Sequence, residues 1–161
     1  MNQVLSRAAA KKLTGWLASV VLLSGCNSLF GEEIARLPIN VVSTDGHEVA
    51  KEASLPLKKD DEIAVWSDMD LAYDGAAPVR FQVTVTKDGA PFQQLEIDPT
   101  EKNVTVGETK TDINGQVKWS FTGRNTVLKI PASGTYVFKA RLVAAPNPTL
   151  KITKAELVLK K

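Results

Sequence analysis

Apolar and polar residues alternate with a period of two along most of the chain after residue 37. The clearest alternation runs through residues 79–85, 117–121 and 136–142. Successive side chains of a strand point to opposite faces, so this pattern predicts antiparallel strands with one buried face. Further strands are predicted at 38–43, 62–66, 70–73, 92–97, 103–107, 126–130 and 150–159. A change of apolar phase between Ile152 and Leu157 predicts a β-bulge near Thr153 and Lys154.

Turn-forming pairs separate these runs. They are Asp74-Gly75, Asp88-Gly89, Asn114-Gly115 and Ser133-Gly134. Short strands joined by such turns predict an all-β domain over residues 37–161. We expect a single antiparallel Ig-like (Greek-key) β-sandwich, with a jelly roll of two four-stranded sheets as the alternative.

Three segments resemble parts of bacterial Ig-like and transthyretin-like modules. Residues 126–138 resemble the corner between strands E and F of immunoglobulin-like domains, where a tyrosine bonds back to the backbone; here that residue is Tyr136. A turn and the strand that follows it in such modules resemble residues 111–119. A hairpin of such modules resembles residues 87–91. The resemblance implies a fold and no particular activity, because these sandwiches carry many functions.

The N-terminal segment has the features of a secretory signal. Residues 1–12 carry basic side chains and no acidic ones, and residues 13–23 are apolar apart from Thr14 and Ser19. A segment of eleven residues is too short to span a bilayer, which takes about 20. Small residues follow, as at a cleavage site.

The end of this segment, Leu23-Ser24-Gly25-Cys26, resembles the lipobox of bacterial lipoproteins. The resemblance implies that residues 1–25 are a cleaved signal peptide, and that Cys26 carries a diacylglyceryl group and is acylated again on its new amine. Residues 26–36 are then predicted to be a lipid-anchored tether. Two or three acyl chains hold a protein firmly, whereas one holds it only marginally.

Asn27 follows the cysteine. In lipoproteins of enteric-type bacteria, aspartate at this position favours retention in the inner membrane. Asparagine therefore predicts an outer-membrane lipoprotein on the periplasmic side, for a Gram-negative source.

Composition narrows the functional classes. Cys26 is the only cysteine, so the domain is predicted to have no disulfide, no cysteine metal site and no catalytic cysteine. Three of the 20 basic residues lie in the signal, which leaves the remainder nearly balanced against 18 acidic residues. A secreted, nearly neutral domain predicts no nucleic-acid partner.

Few residues are candidates for chemistry. His47 is the only histidine and lies in a polar loop, where it is expected to be solvated. Asp68 and Asp70 share a strand face and are weak candidates for a calcium site, although strand-end carboxylates of this kind usually keep an edge soluble. Trp66 lies beside Ser67-Asp68 and is a weak candidate for an exposed sugar-binding ring.

No nucleophile–base pair and no metal-ligand set is visible, so we expect a non-catalytic protein. The predicted function is a protein-binding or assembly module of the cell envelope. The alternatives are a periplasmic inhibitor or immunity lipoprotein that acts on a toxic or lytic enzyme, and a carbohydrate-binding surface module.

Overall fold

The computed structural model describes residues 30–161, which form an antiparallel β-sandwich. The strands are β1 (Glu33–Pro38), β2 (Ala50–Leu57), β3 (Glu62–Asp74), β4 (Val79–Lys87), β5 (Ala90–Ile97), β6 (Val104–Ile113), β7 (Gln116–Lys129), β8 (Gly134–Ala144) and β9 (Lys151–Lys160). Sheet A has the order β1-β9-β3-β7-β6, and sheet B has the order β2-β8-β4-β5. The prediction of an all-β sandwich is confirmed.

The central strands follow an immunoglobulin-like order. In that fold B, E and D are neighbours in one sheet, and C′, C and F are neighbours in the other sheet of variable domains. Here β3, β7 and β6 occupy the first set of places, and β5, β4 and β8 occupy the second. The outer strands differ, because β9 and β1 flank β3 while β2 flanks β8. Sheets of five and four strands are also not the two four-stranded sheets of the alternative jelly roll.

One apolar core joins the two sheets. Its largest members alternate along the strands as the sequence pattern predicts, and include Phe81, Phe121, Phe138 and Leu157. Each of these side chains leaves water almost completely on folding, which stabilises the domain by about 2 kcal/mol apiece. The core therefore fixes the register of both sheets, since a slip of one residue would turn these side chains to solvent.

Several predicted boundaries are wrong. Strand β1 spans Glu33–Pro38, so the last residues assigned to the tether already belong to sheet A. Of the strand predicted at 38–43, only Pro38 is in a strand, and residues 39–43 are irregular chain. Backbone pairing with β9 holds β1 in place although most of its residues are only partly buried. The two strands predicted at 62–66 and 70–73 form one continuous strand, β3. The two predicted at 117–121 and 126–130 likewise form one continuous strand, β7.

The predicted bulge and two of the four predicted turns are confirmed. Asn114 and Gly115 have φ values of 54° and 82°, as a two-residue type I′ hairpin turn requires, and Asp88-Gly89 closes the β4–β5 hairpin in the same way. In β9, Lys154 pairs with Asp70 whereas Ile152 pairs with Leu71. Thr153 is therefore the extra residue of a bulge, and it shifts the apolar phase of β9.

The tyrosine corner is present. Tyr136 is completely buried, and its hydroxyl donates a 2.8 Å hydrogen bond to the carbonyl oxygen of Ala132. The ring also packs edge-on against Phe92, with 5.3 Å between ring centroids. The loop before β8 is thereby tied to the core.

Tyr136→Phe is expected to lower the free energy of unfolding by about 1 kcal/mol, because it removes this hydrogen bond and retains the ring. Urea denaturation measures the difference. Tyr73→Phe is the matched control, since the Tyr73 hydroxyl makes no hydrogen bond within residues 30–161 and its loss should cost less than about 0.5 kcal/mol. Equal effects of the two substitutions would contradict a stabilising role of the hydrogen bond from the Tyr136 hydroxyl to Ala132.

Candidate functional sites

Cys26 and Asn27 lie outside the described residues, so their lipidation and sorting roles stay predictions. The chain that follows them is described from Phe30 onward. Glu32 and Lys161 exchange backbone hydrogen bonds of 2.8 and 2.9 Å, which continue the pairing of β1 with β9. The predicted anchor therefore reaches the domain at the end where β9 finishes.

Trp66 is not an exposed ring. Only 1% of its surface is accessible, so the expectation of an exposed sugar-stacking platform is wrong. Phe30 packs edge-on against the indole with 5.9 Å between ring centroids, and Lys160 Nζ lies 4.7 Å from the ring centroid. The indole nitrogen Nε1 is buried without a hydrogen-bond partner among the described residues. Trp66 and its strand neighbour Val158 lie outside the central core cluster.

Asp68 forms ion pairs within a cluster of charged side chains on sheet A. Its carboxylate lies 3.2 Å from Arg36 Nη1 and 3.4 Å from Lys154 Nζ, and it accepts a 3.3 Å hydrogen bond from Thr122 Oγ1. Arg36 also pairs with Glu156 and, at 2.6 Å, with Glu33. The Asp68 carboxylate, one of the two candidates for a cation, is thus compensated by side-chain cations.

The charges of this cluster are mutually stabilising. Hydrogen bonds from Arg36 hold the pKa of Glu33 below its ordinary value. The same contacts, together with Glu156 and Asp68, raise the pKa of Arg36. Glu33 therefore stays ionised to lower pH, and the Arg36 guanidinium bridges β1 to β9 and β3.

Asp70 and His47 do not join a site. Asp70 forms no ion pair within residues 30–161, and His47 is exposed in a turn whose backbone bonds to Thr44. Within the same residues no three His, Cys, Asp or Glu side chains are grouped closely enough to hold a metal ion.

The most accessible element of the described structure is the edge strand β6. Every residue from Thr105 to Ile113 is exposed, and the strand pairs only with β7. The other three edge strands each contain a proline, at Pro38, Pro56 and Pro91, whereas β6 contains none. Proline lacks the backbone N–H that strand addition needs, so β6 is the one edge of the four without this protection.

The hairpin turn determines which backbone groups of β6 are free. Ile113 and Gln116 flank a two-residue turn and form a hydrogen-bonded pair, and such pairs alternate along the ladder. The N–H and C=O groups of Asp112, Lys110 and Glu108 therefore point away from β7. A bulge at Gly107 interrupts the strand and leaves Glu108–Ile113 as its regular part.

Side chains hold this edge in a fixed shape. Glu108 accepts hydrogen bonds of 2.7 Å from Trp119 Nε1 and 2.9 Å from Lys102 Nζ, and both contacts lower the pKa of its carboxyl. Lys110 Nζ lies 4.2 Å from the centroid of the Trp119 ring. The edge is therefore presented as a pre-formed strand.

The open side of the sandwich between β5 and β6 is closed by residues 98–103. Asn125, the extra residue of a bulge in β7, donates to the carbonyl oxygens of Asp98 and Glu101 at 3.0 and 2.9 Å. Its Oδ1 accepts a 2.6 Å bond from the buried Ser67 hydroxyl. Sequence reasoning did not single out Asn125. The signal was the change of apolar phase between Phe121 and Leu128 in β7.

Two further concave surfaces are present. A groove of about 510 Å³ crosses sheet B, where Glu48 lies 3.3 Å from Lys139 and 3.4 Å from Arg141. A second, of about 730 Å³, lies between residues 40–45 and residues 143–152. The charged side chains of the first groove neutralise one another, so this groove does not favour a ligand of one charge.

Comparisons with models of protein families and with curated protein sequences found no match to the chain. Among residues 30–161 no helix has the length and hydropathy needed to cross a bilayer.

Proposed function

We propose that the protein is a lipid-anchored outer-membrane lipoprotein that acts on the periplasmic face as a non-catalytic protein-binding module, and that it binds an extended segment of another envelope protein along β6. The exposed, proline-free edge of β6 is the observation that carries the proposal. The lipobox resemblance at Leu23–Cys26 supports the anchor.

The chemistry of β6 favours strand addition. Three residues point their backbone N–H and C=O groups outward, which provides a ladder for one more strand and affinity that does not depend on the partner's sequence. The threonines, Glu108 and Lys110 provide side-chain contacts on the two faces. Lys102 and Trp119 hold Glu108 in place, so little order is lost when a partner strand pairs.

A carbohydrate-binding role has less support. The ring that would stack on a sugar, Trp66, is covered by Phe30 and Lys160. Stacking needs an accessible aromatic face, so sugar binding at Trp66 would require these two side chains to move away.

Site-specific photo-crosslinking in cells tests the proposal. A photoreactive residue at Thr109 is expected to capture a reproducible envelope protein, whereas one at the exposed Ser54 is not, because Ser54 lies in β2, the edge strand of sheet B on the side of the sandwich away from β6. Mass spectrometry identifies the adduct. A captured toxin or lytic enzyme would assign the inhibitor role, which is the alternative predicted from the sequence.

Lys110→Pro in the same background is expected to reduce the Thr109 adduct at least about tenfold, because proline removes an outward N–H and adds a ring at the free edge. Lys110→Ala is the matched control, since it loses the same ammonium group and retains the amide. Adducts of equal yield in the two variants would exclude strand addition. A thermal unfolding curve of each variant shows whether the domain remains folded.

A further inference from the structure

We propose that the surface formed by Phe30, Trp66 and Lys160, called here the anchor face, lies against the phospholipid headgroups of the bilayer that holds Cys26. This orientation rests on the proposed lipidation of Cys26. It goes beyond the anchor itself, because it states which side of the sandwich touches the membrane and which side is free for a partner.

The length of the tether limits the distance between the domain and the bilayer. Four residue steps separate Cys26 from Phe30, and a chain of that length spans at most about 14 Å even when fully extended. The headgroup layer of one leaflet is itself roughly 5–7 Å thick. Whatever path residues 27–29 take, Phe30 stays within a short distance of the headgroups.

The chain is fixed to the domain as soon as it reaches Phe30. The Phe30 ring packs against Trp66, and the next residues pair with the end of β9 through Glu32 and Lys161. Gly31 allows this close approach, since its φ is 79° and a Cβ there would lie 3.0 Å from the Lys161 carbonyl oxygen. The chain is therefore fixed to the domain from Phe30 onward, and the domain cannot turn its opposite side to the bilayer.

The side chains of the anchor face suit a headgroup layer. Phe30 is 40% exposed, and Lys160 places an ammonium group over the Trp66 ring, where it is available to a lipid phosphate. An apolar ring beside a basic side chain is the combination found at membrane–water interfaces. Phe30 and Lys160 make the contact with the headgroups. Trp66 is covered by these two side chains and supports them from below.

Tryptophan fluorescence reports the orientation. Residues 26–161 contain both tryptophans needed, Trp66 and Trp119, and every strand of both sheets. Trp119 pairs with Leu71, five residues along β3 from Trp66, which is a distance of about 17 Å. Trp119→Phe leaves Trp66 as the sole reporter, and Trp66→Phe leaves Trp119.

The experiment couples the single thiol of Cys26 to a maleimide phospholipid in vesicles of phosphatidylethanolamine and phosphatidylglycerol that carry nitroxide-labelled headgroups. Because nitroxide quenching is short-ranged compared with the separation of about 17 Å between the two rings, we expect Trp66 to be quenched at least about threefold more than Trp119. Equal quenching, or stronger quenching of Trp119, would overturn the orientation. The coupling is chemical, so this result does not depend on whether cells lipidate Cys26, and failure of lipidation in cells would be seen separately.

A charge variant tests whether the anchor face makes the contact. Phe30→Ser combined with Lys160→Glu is expected to halve the quenching of Trp66 while the far-ultraviolet circular dichroism stays unchanged. Lys151→Glu, an exposed lysine at the other end of β9, is the control and should leave the quenching unchanged. The same quenching in all three proteins would show that the tether alone positions the domain and that the anchor face has no part.

Discussion

Replacing Cys26 by serine is expected to abolish acylation completely and to leave an uncleaved precursor. The sulfur is the atom that accepts the diacylglyceryl group in the class of protein that Leu23–Cys26 resembles, and serine offers no thiol. Radiolabelled palmitate incorporation and gel mobility measure the result. A mutant that still matures to the normal mobility and stays in the membrane fraction would refute the anchor.

Asn27→Asp is the matched control for this substitution. It retains Cys26, so acylation and membrane attachment should continue. In an enteric host the protein is expected to move toward the inner membrane, which sucrose-gradient separation of the two membranes detects. An unchanged distribution would remove the support for an outer-membrane location while leaving the anchor intact.

Asn125→Ala is expected to have the largest effect on stability among the polar residues described, with a loss of about 2–4 kcal/mol in the free energy of unfolding. The substitution removes the hydrogen bonds that tie residues 98–103 to β7, and it leaves the completely buried Ser67 hydroxyl without its acceptor. Urea denaturation measures the change. Asn103→Ala should cost less than about 1 kcal/mol, because the bonds of Asn103 lie at the surface.

Asn125→Asp separates the donor role of this side chain from its shape. The carboxylate would face the carbonyl oxygens of Asp98 and Glu101, so its pKa is expected to rise above the ordinary value of about 3.9. A group with a raised folded-state pKa contributes stability below its unfolded pKa and loses it as pH rises through the folded one. The difference in stability from the wild type should therefore shrink on acidification. A constant difference from pH 7 to pH 4 would contradict this hydrogen-bond assignment.

Much of the fold is predictable because its information is local. Alternation in β4, β7 and β8 reflects one buried face, and the Asp88-Gly89 and Asn114-Gly115 pairs adopt the positive φ values that type I′ turns need. The Thr153 bulge follows from a change of phase within β9. These features depend on residues that are close together in the sequence.

The errors have a common physical origin in contacts between distant parts of the chain. Strand β2 is absent from the predicted strands, because its alternation at Ala53, Leu55 and Leu57 is weak. Its edge position comes from pairing with β8. Trp66 is covered by Phe30 and Lys160, which lie far from it in sequence. No pattern around Trp66 contains that information, so a polar neighbourhood in sequence predicted exposure that the fold removes.

The position of β9 has a consequence for how the chain acquires its structure. This strand comes last among the nine, yet it lies between β1 and β3 inside sheet A. A ribosome or translocon releases residues in order, so β1 has no strand to pair with in its sheet until residues 151–160 have emerged. Loop closure over that separation is slow compared with local hairpins. Sheet A is therefore completed only after β9 has been released, and the sandwich stays open until then.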